Sequence, residues 1–370
     1  MPQNLKPLTA IRFLAAMWVV TYDDWPDLGI AVPGVVSKGY LGVELFFVLS
    51  GFILCHVYLA RFGDGRFSYA NFLWARLARI YPVHLATLLG LGALAIGAGA
   101  LGLKMSGKLL VWSSLPAQLS LTQGWGLAPA GGWNHPSWSL SAEWFAYLSF
   151  PAFAWAALRM RGRAMLSAVA AASVLMAAQW AFGRLAGYPL SSATLAWAPV
   201  RIAPCFLLGC ATYVLWSERP VTRPASAFMV TAVSVALIAL VSGLGLQDAA
   251  VIVLFAPLLY GLASLSSGGG RLLTARPWIY LGEISFAVYM VAFPWRLVFA
   301  KLVQRMGAGG DDLPLWIWGI ELAGVIPIAI LLHHLVERPA REAMRSHAPP
   351  WRSLALRLKG REAAFATARR

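Results

Sequence analysis

Four ionisable residues lie within or at the edge of long apolar stretches of this 370-residue chain: Arg12, Asp23, Glu44 and Glu143. A charged group at membrane depth is costly unless it is paired or hydrated, so each one is a functional candidate. A carboxylate in that setting can act as a general base, and a guanidinium can stabilise developing negative charge. Simpler roles are also open, because Arg12 can snorkel to the headgroups, Asp23 can cap a helix end, and either glutamate can pair with a buried donor.

The spacing of these four residues predicts one shared cavity. Arg12 and Asp23 are separated by close to three helical turns, so they lie on one helix face, about 16 Å apart along the axis. Glu44 and Glu143 each lie at a similar depth in their own apolar segments. Three carboxylates are therefore expected near one level, in the outer half of the membrane.

Hydroxyl groups extend the same prediction. Ser285 and Tyr289, at i and i+4 of a later segment, are expected to add two hydroxyls to the cavity, and Ser139 is a third candidate substrate-binding group. The three cysteines lie in predicted spans without zinc-ligand spacing, so no metal site is predicted. Small residues that permit close helix approach are interpreted as packing positions: Gly39, Gly42, Ser50 and Gly51.

The elements that must position these residues are membrane-spanning helices. Hydrophobic residues make up 59% of the chain and charged residues 12%, about half the charge of a soluble domain. A span needs about 20 apolar residues, which predicts an all-α bundle of about ten transmembrane helices. The predicted spans are 8–22, 40–60, 73–100, 138–158, 164–182, 197–216, 225–244, 250–266, 278–299 and 314–336.

The distribution of charge predicts orientation and excludes a nucleic-acid partner. Arginine and lysine are concentrated in alternate loops, which places both termini in the cytoplasm. The net charge of +15 lies in membrane-proximal loops and in the tail, where anionic lipid headgroups account for it. Residues 1–338 are predicted to form the transmembrane domain, and residues 339–370 a basic cytoplasmic tail.

Several ordered segments resemble one family. They hold their order and approximate spacing over nearly the whole chain: Leu8–Ala16, Gly39–Phe52, Arg76–Pro82, Pro136–Trp144, Ser285–Pro294 and Val336–Pro339. Together they resemble the acyltransferase 3 family of integral membrane acyltransferases. The resemblance implies transfer of an acyl group, often acetyl, from a cytoplasmic donor such as acyl-coenzyme A to a surface glycan, lipid or antibiotic.

The resemblance also implies roles for particular residues and partners. Arg12 is expected to be the functional arginine of the first helix, and Arg76 and Arg79 to lie near the donor's entrance, where guanidinium groups can bind phosphate. Topology-setting charge is the alternative for those two arginines. The donor is a substrate, so no bound cofactor is expected. The expected partners are the lipid bilayer of the plasma (inner) membrane, a surface polysaccharide or lipid-linked sugar acceptor, and glycan-assembly proteins.

The chain departs from the family pattern at both expected histidines. Asp23 stands where the pattern has a histidine, with ten residues between it and the arginine, and Ala292 replaces the histidine before the proline of the ninth span. Imidazole titrates near neutral pH and suits proton transfer, so its loss is relevant to catalysis. His135 is a candidate substitute base and otherwise a loop residue.

Three functions fit these observations. The first is an active acyltransferase in which Asp23 or Glu143 acts as the base. The second is a non-catalytic relative that binds or gates a glycan, lipid or acyl donor. The third is a proton-coupled transporter, which would use the same intramembrane acids but lacks recognisable repeated halves.

Overall fold

The computed structural model describes residues 5–100, 102, 109–266, 273–307 and 312–347, and those residues form helices and connecting turns without a β-strand. The α-helices, in chain order, are α1 (Lys6–Asp24), α2 (Gly34–Ser37), α3 (Gly42–Gly63), α4 (Tyr69–Ala100), α5 (Leu115–Leu119), α6 (Trp138–Leu148), α7 (Phe150–Met160), α8 (Ala164–Ala186), α9 (Ala198–Glu218), α10 (Pro224–Gly243), α11 (Asp248–Leu265), α12 (Arg276–Arg305), α13 (Leu315–Leu332) and α14 (Arg338–Ser346).

Eight stretches of the described chain are helical, long and apolar enough to cross a membrane: α3, α4, α8, α9, α10, α11, α12 and the continuous run from α13 through α14. Two further predicted spans take other forms. The first corresponds to α1, which has four charged residues within 19. The fourth is divided into α6 and α7, because Pro151 has no N–H to continue the helical hydrogen bonds past Ser149. The predicted all-α polytopic membrane fold is confirmed.

The two ends of the helical bundle are held together by different contacts. At the proximal end, defined by the starts of α1 and α4, α14 packs beside α4, and the Trp74 indole N–H donates to the Met344 carbonyl at 2.7 Å. At the distal end, where α1 finishes, Arg296 of α12 makes a bidentate ion pair with Asp27. A π-helical turn, His333–Glu337, joins α13 to α14.

Glycines let the central helices approach at backbone distance. A Cβ at Gly209 of α9 would overlap the Val48 carbonyl oxygen of α3, and one at Gly51 would overlap the Phe206 carbonyl oxygen of α9. Gly42 similarly faces the Ala15 carbonyl of α1. The packing interpretation is confirmed for Gly42 and Gly51, because small residues are what allow backbones to meet within a membrane.

A buried ion pair joins α3 to α9. Arg201 donates from Nε to Glu44 Oε1 at 2.6 Å, and only 2% and 0% of the two side chains are exposed. Arg201 also donates to the Ala193 carbonyl, and its guanidinium lies 4.2 Å from the centroid of the Trp138 ring of α6. One side chain therefore ties three helices and the loop before α9.

Removing one member of this ion pair should destabilise the protein strongly. In Glu44→Leu the Arg201 charge stays buried without a partner, and we expect a loss of about 3 to 5 kcal/mol in the free energy of unfolding. Denaturant titration in detergent micelles measures this loss. The double variant Glu44→Leu/Arg201→Met should recover most of it. If single and double variants lost equal stability, the pair would not be what couples these helices.

The contact between α3 and α9 should be equally intolerant of added volume. Gly209→Ala places a methyl group against the Val48 carbonyl, so we expect a loss of about 1 to 3 kcal/mol on unfolding in micelles. The control is Gly319→Ala in α13, where a Cβ has nothing within 4 Å. A Gly209 variant as stable as the control would contradict the close approach.

Candidate functional site

A polar cavity of about 290 Å³ lies inside the bundle, walled by α1, α3, α4, α6, α12 and α14. Apolar residues form much of its wall. The polar and charged residues that line it are Thr9, Arg12, Ser50, Arg76, Arg79, Ser139, Glu143, Tyr147, Tyr289 and Arg345. A polar chamber at this depth, enclosed by apolar helices, is the expected form of a small-molecule site in a membrane protein.

Positive charge dominates the cavity. Its lining contains four arginines and one carboxylate, Glu143. Arg12 comes from the first helix and Arg345 from the last, while Arg76 and Arg79 lie one turn apart on α4. The arrangement suits a ligand that brings several negative charges, because guanidinium groups pair with phosphate through two parallel N–H donors.

Aromatic side chains hold Arg76 in place. Its guanidinium lies 5.7 Å from the centroid of the Tyr58 ring and 6.0 Å from that of Tyr147. Its Nε is buried and has no hydrogen-bond partner among the described residues. A buried cationic donor without an acceptor is costly, so this N–H is available to a ligand acceptor.

Glu143 is the carboxylate of the cavity, and two hydroxyls orient it. Ser50 Oγ of α3 donates to Glu143 Oε1 at 2.9 Å, and the Tyr147 hydroxyl donates to the same oxygen. Tyr147 follows Glu143 by one helical turn, which brings both side chains to one face of α6. The carboxylate is thus fixed in direction, as proton transfer to a bound substrate requires.

Two predicted hydroxyl residues line the cavity at its α6 and α12 walls. Ser139 Oγ and the Tyr289 hydroxyl each donate to the Pro136 carbonyl, both at 2.9 Å. The third predicted hydroxyl, that of Ser285, is fully buried and donates to the Gly282 carbonyl of its own helix. The Ser285 hydroxyl therefore serves as a hydrogen-bond donor to a backbone carbonyl of α12, and the residue is not part of the cavity wall.

The prediction that three carboxylates share the cavity is wrong. Glu44 is held by Arg201 between α3 and α9, and it does not line the cavity. Asp23 is exposed at the end of α1, three turns beyond Arg12. The helical spacing does put those two residues on one face, but the cavity extends along only part of that face. Among the described residues, the cavity lining is basic and contains one acid, Glu143.

The candidate substitute base also lies apart from this chamber. His135 is exposed in the turn before α6, and it is absent from the cavity lining. The other described histidines are absent from the lining as well. His333, for example, is buried in the π-helical turn, where its Nδ1 lies 2.9 Å from Glu337 Oε2.

Sequence reasoning missed four residues that shape the site. Ser50 is interpreted from the sequence as a packing position, and Tyr147 is not singled out, although a tyrosine one turn after an intramembrane glutamate is a signal for a hydrogen bond. Arg201 lies inside the predicted span 197–216, so its depth alone made it a candidate. Arg345 carries no local signal, because only the docking of α14 brings the tail to the cavity.

Comparisons with known proteins agree with this architecture. Residues 7–334 match the acyltransferase domain model of the acyltransferase 3 family. Acyltransferase MdmB from Streptomyces mycarofaciens is 30% identical over 381 aligned residues, which cover 94% of each chain. Protein 2 in the picA locus of Rhizobium radiobacter is 35% identical over 102 residues, covering 28% of this chain and 51% of that protein. No solved structure matches.

The family match covers almost all of the described chain, and it includes every helix that contributes to the cavity except α14. The eight apolar helices give the same protein a multi-pass membrane architecture. The chain therefore belongs to the acyltransferase 3 family of membrane acyltransferases.

Proposed function

We propose that this protein transfers an acyl group, such as acetyl, from acyl-coenzyme A to a hydroxyl of a surface carbohydrate or related acceptor, in the plasma (inner) membrane. The observation that carries the proposal is the joining of four arginines and one oriented carboxylate in a single intramembrane cavity. Acyl-coenzyme A carries several phosphate charges and a thioester, so it needs cations near its nucleotide and a proton-transfer group near its acyl end.

The donor phosphates would meet the arginines of α4 and α14. Arg76 has a buried Nε without an acceptor, and Arg79 and Arg345 line the same chamber. Arg345 is exposed at the proximal end, which the predicted orientation places in the cytoplasm. The donor would bind there with its pantetheine arm directed toward Arg12 and Glu143.

Glu143 would serve as the general base, in place of the family histidine. It takes the proton of the acceptor hydroxyl as that oxygen attacks the thioester carbon, and Arg12 stabilises the negative charge on the thioester oxygen. The carbon–sulfur bond then breaks, and the leaving thiolate takes the proton from Glu143. Proton and charge balance, and Glu143 returns to its starting state.

The acceptor would approach from the distal side. Ser139 and Tyr289 line the cavity close to the Pro136 carbonyl, at the turn that precedes α6. Their hydroxyls can exchange this backbone acceptor for the hydroxyls of a sugar-like molecule. Under the predicted orientation that side faces the cell exterior, where surface polysaccharides and lipid-linked sugars are found, with glycan-assembly proteins as expected neighbours.

A second candidate function is binding or gating of a glycan, lipid or acyl donor without catalysis. One observation favours it, which is that no histidine is among the described residues lining the cavity. Release of free coenzyme A by the purified protein separates the two functions. Donor binding without release, with a panel of sugar acceptors, would support the binding role and contradict the proposed transfer.

Glu143→Gln should reduce turnover by a factor of about 10² to 10⁴, because the amide cannot take the acceptor proton. Donor affinity should change little, since the side-chain oxygen of the introduced glutamine can still accept from Ser50 and Tyr147. Coenzyme A release and donor binding by the purified protein measure both quantities. Asp23→Asn is the matched control and should keep nearly full turnover. The reverse pattern, with the Asp23 variant inactive and the Glu143 variant active, would refute this assignment of the base.

Arg345→Ala should raise KM for acyl-coenzyme A by roughly tenfold, with kcat little changed, because a charge-assisted hydrogen bond contributes about 1.5 to 3 kcal/mol. Steady-state coenzyme A release measures the effect. Arg338→Ala is the control, since Arg338 belongs to the same helix but is exposed, pairs with Glu342 and does not line the cavity. Equal KM values for the two variants would remove α14 from the donor site.

A further inference from the structure

An apolar groove runs along the outside of the bundle between α4 and α12, extending to α13. It comprises two adjoining hollows of about 540 and 430 Å³ that share Gly90, Leu91, Leu94 and Val298. Its lining is apolar except for Thr87 and the two basic residues described below. The groove is separate from the polar cavity, which shares none of these lining residues.

The groove exists because α4 presents small residues along one face. A Cβ built at Gly90 or Gly97 has nothing within 4 Å, so those positions leave open space where a larger side chain would fit. From Ala86 to Ala98, α4 rises about 18 Å, at 1.5 Å per residue. This length exceeds half of the roughly 30 Å hydrocarbon core, so it accommodates an acyl chain from one leaflet.

Two cations stand at the distal mouth of the groove. Leu297, Lys301 and Arg305 follow one another at intervals of four residues on α12, and all three line the groove. Lys301 and Arg305 are exposed and form no ion pair with any residue in the described ranges. Among the described residues, Lys301 donates to the side chain of Gln304, at 3.1 Å.

We propose that this groove binds one anionic lipid, with an acyl chain along α4 and the headgroup phosphate between Lys301 and Arg305. The charge pattern favours this occupant, because an apolar protein helix would leave both cations unpaired, while a lipid phosphate neutralises them. The apolar lining excludes a soluble phosphate compound as the ligand of the whole groove. Lipid binding in this groove does not require acyl transfer, so its test is independent of the proposed function.

Native mass spectrometry tests this site in the full chain. The protein is released from nanodiscs that contain equal amounts of phosphatidylglycerol and phosphatidylcholine with identical acyl chains. The wild type should retain phosphatidylglycerol in preference to phosphatidylcholine. Lys301→Ala/Arg305→Ala should lower that preference on the order of tenfold, since each cation near a headgroup adds to the attraction.

A second test variant, Gly97→Leu on α4, fills the groove and should reduce retention of both lipids. Its control is Gly183→Leu on α8, a position that is also in open space but outside the groove, and retention should not change. The control for the two cations also lies on α8. Arg184→Ala removes an exposed cation elsewhere and should leave the lipid preference unchanged. Because all these positions are exposed or in open space, each variant should keep the melting temperature of the wild type.

Three results would overturn the proposal. Equal retention of the two lipids by the wild type would show ordinary annular lipid. An unchanged preference after removal of Lys301 and Arg305 would place the anionic site elsewhere. A lipid-free dimer that separates on Gly97→Leu would show that a second copy of the chain covers the groove.

Discussion

The Glu44–Arg201 ion pair is the contact on which the arrangement of the bundle depends. It joins α3 to α9 without exposure to water, and Arg201 extends it to Trp138 at the start of α6 and to the backbone before α9. The same α3 carries Ser50, and the same α6 carries Glu143, which Ser50 hydrogen-bonds. A charge pair buried in low dielectric tolerates little displacement, so it fixes the relative position of the two helices that orient the carboxylate of the cavity.

The acids of α3 and α6, Glu44 and Glu143, therefore have different surroundings. Glu44 has a guanidinium partner in hydrogen-bond contact, and its charge is compensated within the protein. Among the described residues, Glu143 accepts hydrogen bonds from two hydroxyls, and it faces a cavity whose cations come from other walls. Glu44 is thus enclosed between helices, and Glu143 is the carboxylate on which the proposed proton transfer depends.

The sequence predicted much of the fold because the length of an apolar segment is a local property. It also identified Arg12, Arg76, Arg79, Ser139, Glu143 and Tyr289, all of which line the cavity. It failed for Glu44 and Asp23, because depth in a span does not reveal which neighbouring helix faces a side chain. Glu44 is held by its ion pair with Arg201, which is 157 residues away in the sequence. Such pairings depend on how the helices pack. The break at Pro151 and the docking of α14 are also tertiary features.

The cavity wall includes residues that are far apart in the sequence, with Arg12 on α1 and Arg345 on α14. Domains assemble progressively as synthesis proceeds from the N-terminus. Helix α1 is therefore present in the bilayer before α14 is synthesised and docks against α4. A growing or prematurely terminated chain would hold Arg12 and Glu143 without the closing cation. The basic lining of the cavity is thus complete only after α14 has been synthesised and has docked.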